Sequence, residues 1–399
     1  MSNIAVYLLA LAAGSTPTPA PQAPKPTPAI PGEWVILRNQ AAKLREKFDS
    51  DLTCVQVPPR LFHKPPASFP EKLPPEAKIA ASHKTLALLV PKVDETLQLL
   101  TAERGRIVSE YFLRNPWTGN RLRGFAISED GTYALLFGQG EFAVFAQGTY
   151  VTTVRADTKN ATIVKGALHY CPFPRRRQGN PLGEKEELPP LWVRSEVDGS
   201  GEEVLLRVRR ERLDPEKPNL SEWALGLAGR SDGKLWLVGL SSAEVMLATP
   251  EGRILSSRVL PFRFPLDEAR QQEDFATGLD LFAQSVAPYL QDATRKNSKL
   301  RLVVETPNNI FQRVSARGND LVLVTTGITV PSRAVLVYRS DDSGVHCFTF
   351  DEKTDVNRLA VTDDEIWVPE PFGYYRWGEL EELFSPREDK EGKGTRAEH

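Results

Sequence analysis

One repeated phrase constrains this chain more than any other feature: a short β-type run, a tight turn of Asp, Gly or Asn, and a second run that is almost wholly apolar. Residues 78–83 lead into 85–90, 124–128 into 132–137, 225–229 into 234–238, 313–317 into 320–324, and 358–362 into 365–368. Asp130-Gly131, Asp232-Gly233, Gly318-Asn319 and Asp363-Asp364 stand at four of the turns. Gly and Asn reach the left-handed backbone that a two-strand turn needs, and Asp folds its carboxylate onto nearby N–H groups. Further apolar runs follow at 141–145 and 149–154, at 244–248 and 253–260, and at 334–338 and 344–350. Each unit therefore reads as an antiparallel meander of four strands.

The second strands begin at residues 85, 132, 234, 320 and 365, so successive gaps are 47, 102, 86 and 45. The gap of 102 holds one degenerate unit, placed at 161–212, and the gap of 86 holds one unit plus an insertion. A period of about 40–50 residues is that of a β-propeller. One four-stranded sheet cannot bury both of its faces alone; sheets stacked in a ring can, and they leave only short edges. The expected fold is all-β, a six-bladed β-propeller over 77–385. A seventh blade is the alternative, because residues 299–304 could form an extra strand. The insertion, 265–309, carries Phe275, Leu279, Phe282, Val286 and Leu290 on one helical face, with Pro288 set to end or kink that helix. The last unit lacks a fourth strand, so ring closure is expected to borrow 53–57 from the N-terminal side.

Before the ring, residues 1–13 are a candidate signal segment, whose apolar run at 4–13 is followed by a Pro-rich linker over 14–32. The expected location is exported, periplasmic or extracellular, with the cytoplasm as the alternative, and no transmembrane helix is expected in the mature protein. Residues 33–76 hold an N-terminal helix, with Trp34, Leu37, Ala41, Leu44 and Phe48 on one face, then an irregular segment with the closing strand. Residues 386–399 are expected to be a disordered charged tail. Cys54, Cys171 and Cys347 have no framework or zinc spacing and read as three small buried hydrophobes; one bridge among them would leave an odd thiol.

The units resemble NHL-type six-bladed propeller repeats, whose inner strand, Asp-Gly turn and second strand look like residues 127–131 and 228–236. The resemblance spans about 77–377. It implies architecture only, since such propellers include ligand binders, scaffolds, sensors, lyases and lactone hydrolases.

No signature selects an enzyme. The inner strands lack the acidic set that holds a metal in lactonase-like propellers, the five histidines are unpaired in sequence, and residues 239–243 sit between two strands rather than on a strand-to-helix elbow. No phosphate-cradling Gly loop occurs, and no cofactor or metal is expected. The net charge of −2 gives no reason to expect nucleic acid. One constellation stands out. Seven residues before each second strand lie Lys78, Phe125, Leu227, Arg313 and Arg358. The three cations belong to the first, fifth and sixth units, which are neighbours once the ring closes. Lys78, Arg313 and Arg358 are thus placed at one channel mouth, where they could hold a carboxylate or other anion; the alternative is that they face solvent or pair with nearby acids such as Asp355. A second basic group, Arg175–Arg177 with Arg207–Arg212, flanks the degenerate unit, where edge charge guards against stray pairing. The expected function is non-catalytic binding or scaffolding, with a protein partner or small anionic ligand. The alternative is a hydrolase or lyase working at the channel mouth.

Overall fold

The computed structural model describes residues 52–92, 94–117, 122–158, 160–173, 188–207, 224–260, 309–326, 333–341 and 344–384, together with two strands at 34–37 and 302–305. Strand β1 (Trp34–Leu37) and strand β2 (Val55–Gln56) precede the ring. Blade one is β3 (Lys78–Ser82), β4 (Thr85–Pro91), β5 (Thr96–Glu103) and β6 (Arg106–Arg114). Blade two is β7 (Gly124–Ile127), β8 (Tyr133–Phe137), β9 (Phe142–Ala146) and β10 (Thr149–Val154). Blade three is β11 (Ala161–Val164), β12 (Ala167–Tyr170), β13 (Pro190–Glu196) and β14 (Glu203–Arg207). Blade four is β15 (Leu225–Gly229), β16 (Leu235–Gly239), β17 (Glu244–Ala248) and β18 (Ile254–Val259). After β19 (Leu302–Glu305), blade five is β20 (Phe311–Arg317), β21 (Asp320–Thr325), β22 (Val335–Tyr338) and β23 (Val345–Thr349). Blade six has β24 (Ala360–Val361), β25 (Glu365–Pro369) and β26 (Phe372–Arg376), then a short helix α1 (Trp377–Glu381).

The first strands meet in the order β3, β7, β11, β15, β20, β24 and back to β3, which closes a ring of six. The hydrophobic core divides accordingly into six clusters, one between each pair of neighbouring blades. This division explains the apolar second strands. Within β8, Ala134 and Leu136 face blade one while Leu135 and Phe137 face blade three. Within β16, Leu235 and Leu237 face blade three while Trp236 and Val238 face blade five. A strand buried on both faces loses the polar half of its alternation and reads as a continuous apolar run. Truncating one such Leu to Ala should cost about 2–5 kcal/mol. Gly226 marks the closest approach between two inner strands: a Cβ built there would lie 2.2 Å from a methyl of Val314. Blades four and five thus touch directly, and β19 is no seventh blade; it pairs in parallel with β1.

Trp34–Leu37, at the start of the expected N-terminal helix, is that strand β1; the rest of the expected helix and most of the 265–309 insertion lie outside the described residues.

Ring closure departs from expectation. β2, expected to complete blade six, instead pairs in parallel with β23 and becomes a fifth strand of blade five. Blade six receives a single antiparallel bridge, His63 to Tyr374, closed by backbone bonds of 2.8 and 3.0 Å. Pro65 and Pro66 follow and lack the N–H groups needed to extend a ladder. The chain continues to blade one, where the Ser68 hydroxyl donates to the Gly105 carbonyl (2.9 Å) and Phe69 packs between Trp367 and Phe372. The segment from Leu52 to Ala77 is therefore a strap over blades five, six and one. A Cys54–Cys347 disulfide fastens it to blade five across a sequence separation of 293, which corrects the reading of all three cysteines as reduced hydrophobes. Cys171 alone stays free, and burial pushes its thiol pKa up.

Candidate functional site

A meander sends its strand-one-to-two and strand-three-to-four turns to one end of the ring and its other connections to the opposite end. The first end, the turn face, carries short links such as Ser82 to Thr85 and Arg317 to Asp320. The opposite end, the mouth face, carries the other connections, such as Phe137 to Phe142 and Gly239 to Glu244. Lys78, Arg313 and Arg358 all lie toward the mouth face, because each sits at or near the start of a first strand.

The three cations fall on neighbouring blades, as ring order requires. Lys78 opens β3 opposite Leu89, Arg313 lies in β20 opposite Val324, and Arg358 ends a one-turn 3-10 helix (Val356–Arg358) just before β24. Phe125 and Leu227, the other members of the aligned set, are buried between blades and do not reach the mouth.

Asp355 organises the group. Its carboxylate accepts from the Asn357 backbone N–H (3.1 Å), capping that turn, and from Arg358 Nε at 2.6 Å. Arg358 also donates to the Pro75 carbonyl (3.3 Å) and lies 3.7 Å from exposed Glu370. Arg358 is thus engaged by Asp355, the nearby acid that the sequence offers as a partner. Lys78 and Arg313 have no hydrogen bond or ion pair among the described residues. Desolvation, then the neighbouring Arg358 charge, lowers the Lys78 pKa, with Glu76 opposing. Desolvation pulls Arg313 down to about 10, against the attraction of Asp355. Yet Arg313 keeps intermediate solvent exposure. Arg313 thus combines a desolvated guanidinium with partial exposure. In order around the ring the group is Arg313, Asp355, Arg358 and Lys78, with Glu370 and Glu76 also acting on the last two.

Beside this group, Gln312 donates to the Thr325 carbonyl (2.9 Å) and to the Asn357 side chain (2.6 Å), tying blade five to blade six at the rim. Ser241 and Asn309 join blade four to the approach of blade five (2.8 Å).

The turn face has a different polar chemistry, absent from the sequence reading. His83 Nδ1 lies 3.1 Å from Asp363, and its Nε2 lies 3.5 Å from Glu129, so one side chain spans blades six, one and two. Asp363 also accepts from the Gly318 N–H (2.6 Å) of blade five. Asn319 accepts from the Ser231 hydroxyl (3.0 Å) and from the Asp232 N–H (3.2 Å) of blade four. Although burial lowers the His83 pKa, the Asp363 hydrogen bond and the Asp363 and Glu129 charges outweigh it and raise the pKa. The His83 hydrogen bond is the leading cause that holds Asp363 below its ordinary range. Glu381 on α1 receives both Arg317 and Arg339, and Arg317 stacks over Trp377 at 4.9 Å.

The remaining histidines do not form a reaction centre. His63 meets Glu379 at 2.8 Å, and His346 stacks on Phe384 at 4.2 Å. His169, fully buried beside Trp192, is held neutral by burial with its pKa lowered to about 4. Among the described residues, no group of three or more His, Cys, Asp and Glu side chains is placed to hold a metal ion. Among the described residues, no helix is long and apolar enough to cross a membrane. Arg207 sits exposed on β14; Arg175–Arg177, Arg209, Arg210 and Arg212 lie outside the described residues.

No protein-family model matches the sequence. No curated protein matches it. Solved structures similar to it include a member of the duf4221 family from Bacteroides vulgatus, 9% identical, covering 77% of this chain and 89% of that chain with a TM-score of 0.41. A catalytically inactive virginiamycin B lyase from Staphylococcus aureus with quinupristin is 12% identical, covering 74% and 77% with a TM-score of 0.38. Hsv2 from Kluyvelomyces marxianus is 9% identical, covering 74% and 75% with a TM-score of 0.36. The propeller assignment rests on the ring of first strands and the six inter-blade cores, not on these likenesses.

Proposed function

We propose that this protein is a non-catalytic binding propeller that receives an anionic group, a carboxylate or another small anion carried by a ligand or protein partner, at its channel mouth. Arg313 carries this reading: an enclosed guanidinium with no ion-pair partner among the described residues. An enclosed charge without a counter-charge costs stability, and an incoming anion would remove that cost. The planar guanidinium suits two-point recognition of a carboxylate or phosphate, with Lys78 adding a second charge. Asp355 holds Arg358 in place, which leaves Lys78 and Arg313 as the cations this reading assigns to the ligand.

Hydrolase or lyase chemistry is the weaker reading. Asp355 is the acid nearest the centre of the group, and it is already committed to Arg358 and to a helix cap. The apolar segment at 4–13, the Pro-rich linker and the Cys54–Cys347 bridge support an exported protein in an oxidising compartment. The Asp-Gly turns support an NHL-like origin for the repeats.

The test is calorimetric titration of the full chain with citrate, phosphate and an acidic peptide, repeated on Arg313→Met. The reading expects saturable binding of one or more of these, weakened about tenfold or more in the variant, as loss of a charge-assisted contact implies. Binding of none of them, or equal binding by both proteins, rejects it.

A further inference from the structure

The outer edges of the blades differ in how they are guarded. The edge of blade five is covered by β2, and that of blade six by the His63 bridge. Blades one to four end in β6, β10, β14 and β18, with no further strand beside them among the described residues. Of these β6 is the longest, and it carries the most exposed large apolar side chains, Phe112 at 62% and Val108 at 57%. An edge of this length and character is a ready template for another strand.

We propose that β6 pairs antiparallel with β6 of a second copy of this chain, centred on Phe112. Three observations fix the register. First, the pairing of β6 with β5 slips between Ser109 and Ile107, which makes Val108 an extra, unpaired residue. That bulge spoils the edge at its N-terminal end and leaves the stretch from Ser109 to Arg114 regular. Second, Asn115 donates its N–H inward to Glu95 (3.1 Å). Backbone direction alternates along a strand, so Leu113 and Tyr111 also point toward β5, while Arg114, Phe112 and Glu110 present their N–H and C=O groups outward. Third, an antiparallel pairing about Phe112 sets Phe112 against Phe112 and Glu110 against Arg114 on both sides of the axis. Every outward-facing position thereby meets a matching one, and both cross-strand charge pairs are attractive. Arg114 has no ion pair among the described residues, and Glu110, which accepts from the Gln98 side chain on β5, keeps its second carboxylate oxygen for this contact.

The other open edges lack this match. β18 carries Arg258 with no acidic residue, and β10 carries no charge. β14 repeats the Glu-to-Arg spacing, but Arg207 already donates to the Leu188 carbonyl (2.9 Å), Glu203 lies 3.8 Å from Arg194, and two register shifts break its ladder. The two-fold contact through β6 would join two blades into one continuous sheet, and the contact is small, so the dimer should form only at high protein concentration.

Sedimentation of the full chain over a wide concentration range tests this. The wild type should pass from monomer to dimer and stop there. Glu110→Arg alone and Arg114→Glu alone each set like charges opposite one another and should weaken the dimer about tenfold. The double variant Glu110→Arg with Arg114→Glu restores opposite charges and should recover most of the loss. Phe112→Asp, at an exposed position, should abolish the dimer while leaving the thermal melt of the monomer in place. A wild type that stays monomeric at the highest concentration overturns the proposal. So does a dimer indifferent to the single charge reversals, or one that the double variant fails to restore.

Discussion

The two faces of the ring spend their charges in opposite ways. On the turn face, the polar groups that cross between blades are satisfied by one another: His83 with Asp363 and Glu129, Asp363 with the Gly318 N–H, and Glu381 with Arg317 and Arg339. At the mouth end, Arg358 is ion-paired, while Lys78 and Arg313 make no ion pair among the described residues and feel only the more distant attraction of Glu76 and Asp355. Paired groups that bridge blades hold a structure together. Enclosed cations left unpaired weaken the free protein, and they are the ones to suspect of recognition. The comparison separates two kinds of buried charge that composition, with a net of −2, does not distinguish.

If this contrast is right, substitutions on the two faces must differ in kind. The largest effect is expected at Asp363→Ala. It strands the Gly318 N–H and the His83 ring at the seam between blades one, five and six, at a cost of about 2–3 kcal/mol, read as a lowered midpoint in urea unfolding. Arg313→Met should go the other way. Removing an enclosed, unpaired cation leaves stability unchanged or raises it by about 1 kcal/mol, while anion binding falls. A destabilised Arg313→Met protein would show that this arginine is structural and would erase the contrast.

The pH dependence sharpens the turn face. His83 has a raised pKa in the folded protein, so its contribution is complete below its unfolded value near 6.5 and is lost as pH rises through the folded value. Asp363 has a depressed pKa, so its contribution is present above about 3.9 and is lost as pH falls through its folded value. The seam should be firmest between about pH 4 and 6.5. In thermal melts at closely spaced pH values, the wild type should lose stability on moving from pH 6 to 8 by more than His83→Gln does; equal losses would remove His83 from the account. The smallest effect is expected at Lys78→Met. This side chain adds a point charge rather than a planar fork, so calorimetry should show anion affinity reduced about threefold, less than for Arg313→Met.

Much of the fold was legible because burial on both faces of each second strand leaves a period that local chemistry alone would not produce. Strands 132–137 and 234–238 read as apolar runs for the reason the core clusters display. The placement of Lys78, Arg313 and Arg358 on adjacent blades followed from the same count. What escaped had no local signal. The ring closure at blade six is a single bridge at His63, with prolines after it, and no strand pattern marks it. Cys54 and Cys347 are 293 residues apart, so their union depends on the strap's path across blade five. The Arg358–Asp355 pair, by contrast, was within reach of the sequence, where the acid stands three residues before the arginine. His83 reads as an ordinary turn residue until the ring brings Asp363 and Glu129 to it.

The claim that the mouth cations stand ready for an anion is tested most directly by thermal unfolding in sulfate and in chloride at matched ionic strength, with wild type and Arg313→Met side by side. A ligand that binds only the folded state raises its melting temperature in proportion to occupancy. A sulfate-specific rise that is larger in the wild type than in Arg313→Met, beyond the general stabilisation both proteins gain from an excluded salt, is the expected result. Equal rises in both proteins, or no rise in either, would contradict the account.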